Sequence, residues 1–266
     1  MQEILDFPDL LRLIDERSWA FRAAVAAAPS LDLQVPTCPE WTLFDLAQHI
    51  GKGRRAWAAT VAAGPDATSK SEARGDQDAP RERDALVAWL AASTQELLDA
   101  LRDAGPDRGC WTWWGDTQSP QTCAAVARHQ LQELAVHTYD AQITLGVPQT
   151  LPDEVALDGV DEFQFTCCAT TIPWPYDPAV LEYHATEGRS WRLQLSADGT
   201  RVARVPAPDT APATTAGRTQ DTADASAEGS ASDLVLFCYG RIPLDSLKWN
   251  GDRRHFDRLA AWDPDA

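Results

Sequence analysis

No part of this chain limits its fold more than the stretch from Ser119 to Gly146. At the helical period Cys123, Val126, Ala127, Leu134 and Ala141 share one face, and Glu133 and His137, four residues apart, stand on that same face. A bundle helix ordinarily presents leucines there. Burying a carboxylate and an imidazole is unfavourable unless something compensates, and a divalent metal is a strong compensator. His49, in an apolar series with Leu46, Ile50 and Trp57, is a third candidate ligand from an earlier segment. Two ligands from one helix and one from another leave a fourth metal position open, an arrangement suited to catalysis rather than structure. Taken alone, the same spacing also fits a hydrogen-bonded core pair, and a lone histidine in an apolar stripe also fits ordinary packing.

The surrounding pattern is helical. Residues 8–28 form a first helix with Leu10, Leu11, Ile14, Trp19 and Phe21 among its apolar positions. An irregular stretch from Val35 to Trp41 leads to a second helix that starts at Thr42, with Asp45 completing a capping-box-like pair. The periodicity predicts a third helix over 80–104, stopped by Gly105-Pro106. In the fourth, Ser119 is the expected N-cap and Pro120 the first helical residue, with Gly146 and Pro148 as the stop. A fifth helix begins near Asp153.

After Pro173-Trp174-Pro175 the character changes. Residues 180–185, 191–195 and 202–205 alternate at period two and read as strands, with Asp198-Gly199 as a hairpin turn. Residues 206–231, rich in Ala, Thr, Asp and Pro, read as a flexible surface loop. A helix from Ser232, a strand at Leu247–Trp249 and a short C-terminal helix complete an α+β unit. The expected organisation is a helical domain over 1–172 and a small α+β domain over 173–266.

A formal charge of −17 in 266 residues argues against nucleic acid or an anionic membrane as partner. No apolar run reaches the roughly 18 residues that span a bilayer, and the first residues lack a signal-peptide pattern, so a cytoplasmic location is expected. The six cysteines form no C-x-x-C pair, and adjacent Cys167 and Cys168 read as small buried apolar residues. Gly51-Lys52-Gly53 lies inside a helix and is no phosphate loop. Trp111, Trp113 and Trp114 read as packing or a cap at the bundle end, with a pocket wall as the alternative.

The run Cys38-Pro39-Glu40-Trp41-Thr42 with Asp45-Leu46 and His49 resembles the N-terminal signature of the mycothiol-dependent maleylpyruvate isomerase family. Its members are actinobacterial and belong to the DinB-like four-helix-bundle superfamily. Arg128 with Glu133, His137, Asp140 and Gly146-Val147-Pro148 is similar to that family's metal-helix signature. The run from Asp158 to Phe163 is similar to its next helix, and Ser232-Asp233-Leu234 through Gly240-Arg241, then Asn250-Gly251-Asp252, to its small C-terminal domain. The resemblance spans nearly the whole chain, with its blocks in order.

It implies a DinB-like up-down four-helix bundle plus a small C-terminal α+β domain. It also implies zinc (or another divalent metal) held by His49, Glu133 and His137, with Arg241 catalytic. Arg128 and Asp140 are the residues expected to serve the cofactor, Asp140 by orienting a ligand one turn beyond His137. The thiol cosubstrate would be mycothiol, made reactive as a thiolate by the metal. The expected partners are that thiol and a small electrophile, whose double bond is isomerised or whose leaving group is displaced in S-transfer. Arg241 would clamp a substrate carboxylate. Two rival readings stand beside this one: a thiol-independent metal hydrolase, and a module that binds metal or ligand without turnover.

Overall fold

The computed structural model describes residues 5–67, 78–206 and 223–262. The chain divides into two compact units, Met1–Gly115 with Pro120–Leu151, and Asp116–Ser119 with Pro152–Ala266. The sequence pattern changes from helix to strand later in the chain, near 172/173. The two boundaries differ because the helix from Asp153 packs with the elements that follow it.

The first unit is a bundle of α1 (Phe7–Ala27), α2 (Leu43–Ala63), α3 (Arg83–Ala104) and α4 (Cys123–Thr144). Helices α1 and α2 each pack against both α3 and α4. Leu13, Ile14, Phe21, Leu46, Leu90 and Leu97 are fully buried between them. The capping box at the start of α2 forms as expected: Thr42 accepts from the Asp45 amide, and Asp45 accepts from the Thr42 amide and hydroxyl. A Cβ at Gly51 would lie 1.8 Å from the Trp89 ring, so glycine there lets α2 and α3 approach closely.

Two local expectations are corrected in this unit. The stretch before α2 is a small antiparallel ribbon of β1 (Gln34–Val35) and β2 (Cys38–Thr42). The N-cap of α4 is Thr122, whose hydroxyl accepts from the Ala125 amide. Ser119 belongs instead to the second unit, where its hydroxyl pairs with that of Thr166 at 2.7 Å. Its neighbour Gln118 exchanges two hydrogen bonds with the Val202 backbone. Those contacts hold Asp116–Ser119 out of the helix.

The second unit holds α5 (Asp153–Phe163), which continues into a π-helical turn over Gln164–Cys168. A five-stranded sheet follows, in the order β5-β4-β3-β6-β7. Its strands are β3 (Ala179–Ala185), β4 (Ser190–Ser196), β5 (Gly199–Val205), β6 (Ala225–Gly229) and β7 (Lys248–Gly251). Strands β3, β4 and β5 form an antiparallel meander, β6 runs parallel to β3, and β7 is antiparallel to β6. Helix α6 (Ala231–Cys238) packs against α5, and α7 (Arg254–Ala261) ends the described chain.

Strand β6 corrects the reading of 206–231 as one flexible loop. Its alanines and serine carry almost no apolar signal, yet Ala225 and Ala227 are buried because the strand lies between two others. Residues 207–222 of that stretch lie outside the described residues. Gly199, at φ +101°, permits the β4–β5 turn, and a Cβ there would meet the Thr170 carbonyl at 2.1 Å. Asp161, 2% exposed on α5, accepts from Trp191 Nε1 and from both Nε and Nη2 of Arg204, tying the helix to β4 and β5. No helix among the described residues is long and apolar enough to cross a membrane.

Candidate metal centre

The buried face of α4 delivers Glu133 and His137, and α2 delivers His49 from the opposite wall. One ligand-capable atom from each of the three lies within 4.8 Å of the other two. Donating from Nε2, His49 reaches Glu133 Oε1 at 3.2 Å, and the Gln130 amide donates to Oε2 of the same carboxylate. Both carboxylate oxygens are thereby oriented. Gln130, one turn before Glu133, shows no motif by which the sequence would have singled it out.

Asp140 is fully buried beside His137 and accepts from its Nδ1 at 2.8 Å. Because an ionised carboxylate only accepts, this bond places the imidazole proton on Nδ1 and leaves Nε2 with a lone pair for a metal. Asp140 is held in turn by the Thr37 hydroxyl at 2.6 Å and the Cys38 thiol at 3.8 Å. Both come from the β1–β2 ribbon, so the hairpin missed in the sequence braces the histidine. Cys38, His137 and Asp140 also meet the spacing for a metal.

Electrostatics favour an ionised carboxylate. Burial alone would raise the Glu133 carboxyl, but the His49 hydrogen bond and the fields of His129, His137 and His49 outweigh it and hold it well below the usual carboxylate range. The Trp41 ring lies against both imidazoles, at centroid distances of 4.7 Å to His49 and 6.1 Å to His137. On its open side His49 borders a cleft of about 660 Å³ lined also by Trp41, Gln48, Lys52 and Gly53. The side chains are graded towards it, with His49 39% exposed, Glu133 22% and His137 12%.

His129, one turn before Glu133, packs against Trp57, Trp113 and Trp114 at 5.0–6.3 Å. Trp114 is buried and Trp57 stacks on it, so the tryptophan segment packs the bundle, while Trp113 stays 46% exposed. Arg128, half-buried on α4, stands about 140° around the helix from Glu133 at the standard period. In the second unit Arg241 follows the C-terminal turn of α6. Gly240 takes φ +72° there, and the guanidinium donates to the Tyr239 carbonyl at 2.7 Å.

The donor set of two imidazoles and one carboxylate, one imidazole fixed by a carboxylate behind it, suits zinc with one position left for another group. Residues 11–142 match the family described as the mycothiol maleylpyruvate isomerase N-terminal domain, and residues 154–258 match the corresponding C-terminal domain. Crystal structures of a mycothiol-dependent maleylpyruvate isomerase and of its histidine-to-alanine variant are similar in fold. Each superposes with a TM-score of 0.57, at 15% and 14% identity respectively, over 94% of this chain and 96% of the other. No curated protein matches the sequence.

Proposed function

The chain belongs to the mycothiol maleylpyruvate isomerase family, and from that premise we propose that it is a metal-dependent enzyme that uses a small thiol on a carboxylate-bearing electrophile. The observation that carries this reading is the convergence of His49, Glu133 and His137 donor atoms within 4.8 Å at the edge of an open cleft. A zinc ion held by them would lower the pKa of a thiol brought to the remaining position and supply a thiolate at neutral pH.

The residues of the chain do the rest. Asp140 keeps the proton of His137 on Nδ1, so that Nε2 can ligate. The neighbouring imidazoles keep Glu133 ionised, and the Gln130 amide aims it. Trp41 shields one side of both histidines from water. Arg241 is the residue we assign to a substrate carboxylate, by a bidentate guanidinium pair.

In the reaction favoured by the family, the thiolate sulfur bonds to one carbon of an activated double bond, and the π electrons move onto the conjugated carbonyl. Rotation about the resulting single bond and loss of the same thiolate restore the alkene in the other geometry. If the electrophile carries a leaving group instead, that group departs and the thiol stays attached.

The test is metal content and turnover together. About one zinc per chain is expected in wild type, lost in His49→Ala, Glu133→Ala and His137→Ala with the helical signal unchanged. Maleylpyruvate isomerisation should require added mycothiol. A metal-free wild type, purified without chelators in the presence of zinc, would overturn the metal. Turnover that ignores the thiol would point to metal-assisted hydrolysis, and metal without any turnover to a binding module.

A further inference from the structure

Arg54, on α2, is 3% exposed and lies in the interior of the helical bundle. Its Nη1 donates to the Thr94 hydroxyl of α3 at 2.6 Å and to the Ser18 hydroxyl of α1 at 3.4 Å, and those two hydroxyls bond to each other at 2.7 Å. Its Nη2 is buried with no hydrogen-bond partner, and no carboxylate among the described residues pairs with the guanidinium. An arginine is almost never fully buried without such a pair, because a desolvated charge is costly. Burial pulls its pKa down to about 9, so the group stays charged at neutral pH.

The acidic group whose field reaches Arg54 is Glu133 of α4. A Cβ at Gly53, the residue before Arg54, would lie 3.9 Å from Glu133 Oε1, so the carboxylate meets the same turn of α2. The turn of α1 that carries Ser18 also meets α4, with the Arg17 carbonyl 3.5 Å from the hydroxyl of Thr138, next to His137 in the chain. Arg54 is buried and does not border the cleft, so it touches no ligand there. Nor is it needed to ionise Glu133, whose burial is already outweighed by the His49 hydrogen bond and the imidazole fields.

The charges of this core do not close around a neutral ligand. Glu133 and Asp140 together balance a divalent ion in the cluster, and neutral imidazoles add nothing. Arg54 then leaves one positive charge in excess. A neutral group at the open position leaves that charge buried, whereas an anion cancels it. We propose that Arg54 is a positioning residue whose buried charge makes the open position select an anionic ligand, such as a thiolate, over a neutral one. The inference rests on the metal reading of the cluster.

The experiment loads the full chain with cobalt(II) and follows its visible absorption during titration with azide, an anion, and with imidazole, a neutral ligand. Arg54→Met and Arg54→Gln should each weaken azide binding by about tenfold, the order expected of one unit charge acting on another through a protein interior. Imidazole affinity should stay as in wild type. Arg54→Lys, which keeps the charge, should keep the azide affinity. In chelator competition the two neutral variants should hold cobalt at least as tightly as wild type, a result that loss of packing would not give. Azide affinity unmoved in the neutral variants, azide and imidazole weakening together, or Arg54→Lys behaving like Arg54→Met overturns the proposal. Arg54→Gln still has a donor for Thr94 and carries the comparison if Arg54→Met does not fold. Should neither fold, tighter binding of imidazole than of azide by wild type overturns it. Wild type that takes up no cobalt overturns the metal reading and this one with it, whereas cobalt bound by every variant with azide affinity unmoved overturns this one alone.

Discussion

At the scale of single residues, most of the candidate centre's definition comes from groups that touch its ligands. Asp140 fixes a tautomer of His137, and its carboxylate is the acceptor that α4 itself places one turn beyond the imidazole. Asp140→Asn should fold, because the amide oxygen can still accept from Nδ1 while the amide nitrogen donates to the Thr37 hydroxyl oxygen. It should weaken metal binding by about 10–100-fold, the range for groups of this kind. Competition with a chromogenic chelator measures it, and unchanged affinity would show that His137 does not ligate. Asp45 offers a test by pH. The Thr42 side chain and then its backbone amide hold the Asp45 carboxyl below its usual value, so the folded pKa is depressed. Stability from this pair is therefore present above the unfolded carboxyl pKa, about 4, and is lost as pH falls through the folded value. Asp45→Asn should cost about 0.5–2 kcal/mol at pH 7, with the gap to wild type closing towards pH 3. Denaturant midpoints at the two pH values decide it; a gap independent of pH would mean that the charge is immaterial.

At the scale of elements, close approach of α2 to α3 is what holds His49 in place. Gly51, two residues on, allows it, because any Cβ there would occupy the Trp89 ring position. Gly51→Ala should destabilise by about 1–3 kcal/mol despite alanine's better helix propensity. The measurement is chemical denaturation with zinc content read in parallel. A more stable variant would show that propensity outweighs packing here. The four bundle helices were legible from periodicity to within a few residues, since long amphipathic segments announce the face they bury. The cap of α4 was not, because Ser119-Pro120 is a good local start and only contacts with Thr166 and Val202 hold that segment elsewhere. Strand β6 was missed for a similar reason: a strand flanked on both sides is buried by its neighbours, whatever its own hydrophobicity.

For the whole molecule, the excess of 40 acidic over 23 basic side chains puts a negative field around any anionic substrate. The same charge repels itself in the compact state. Raising sodium chloride from about 10 mM to about 300 mM shortens the Debye length from roughly 30 Å to under 10 Å and should raise the melting temperature by a few degrees. Differential scanning calorimetry across that series tests it, and a flat or falling profile would mean that the charges are already locally paired. The second unit shows the other limit on reading a chain alone. Its meander was plain in period-two alternation, but its π-helical turn was not, because Gln164 and the paired cysteines look like one more buried α-helical turn.

The sequence by itself determined the helical bundle, the strand-rich unit after it, the family, and the placing of Glu133 and His137 on a buried face. Those features are written in short-range periodicity and in motif order, both of which survive in one dimension. Only the tertiary structure decided that His49 meets that pair and that Asp140 is locked behind His137 by a hairpin. Each of these depends on contacts between residues remote in the chain, and the free energy of such contacts is set by packing and desolvation, which no local pattern encodes.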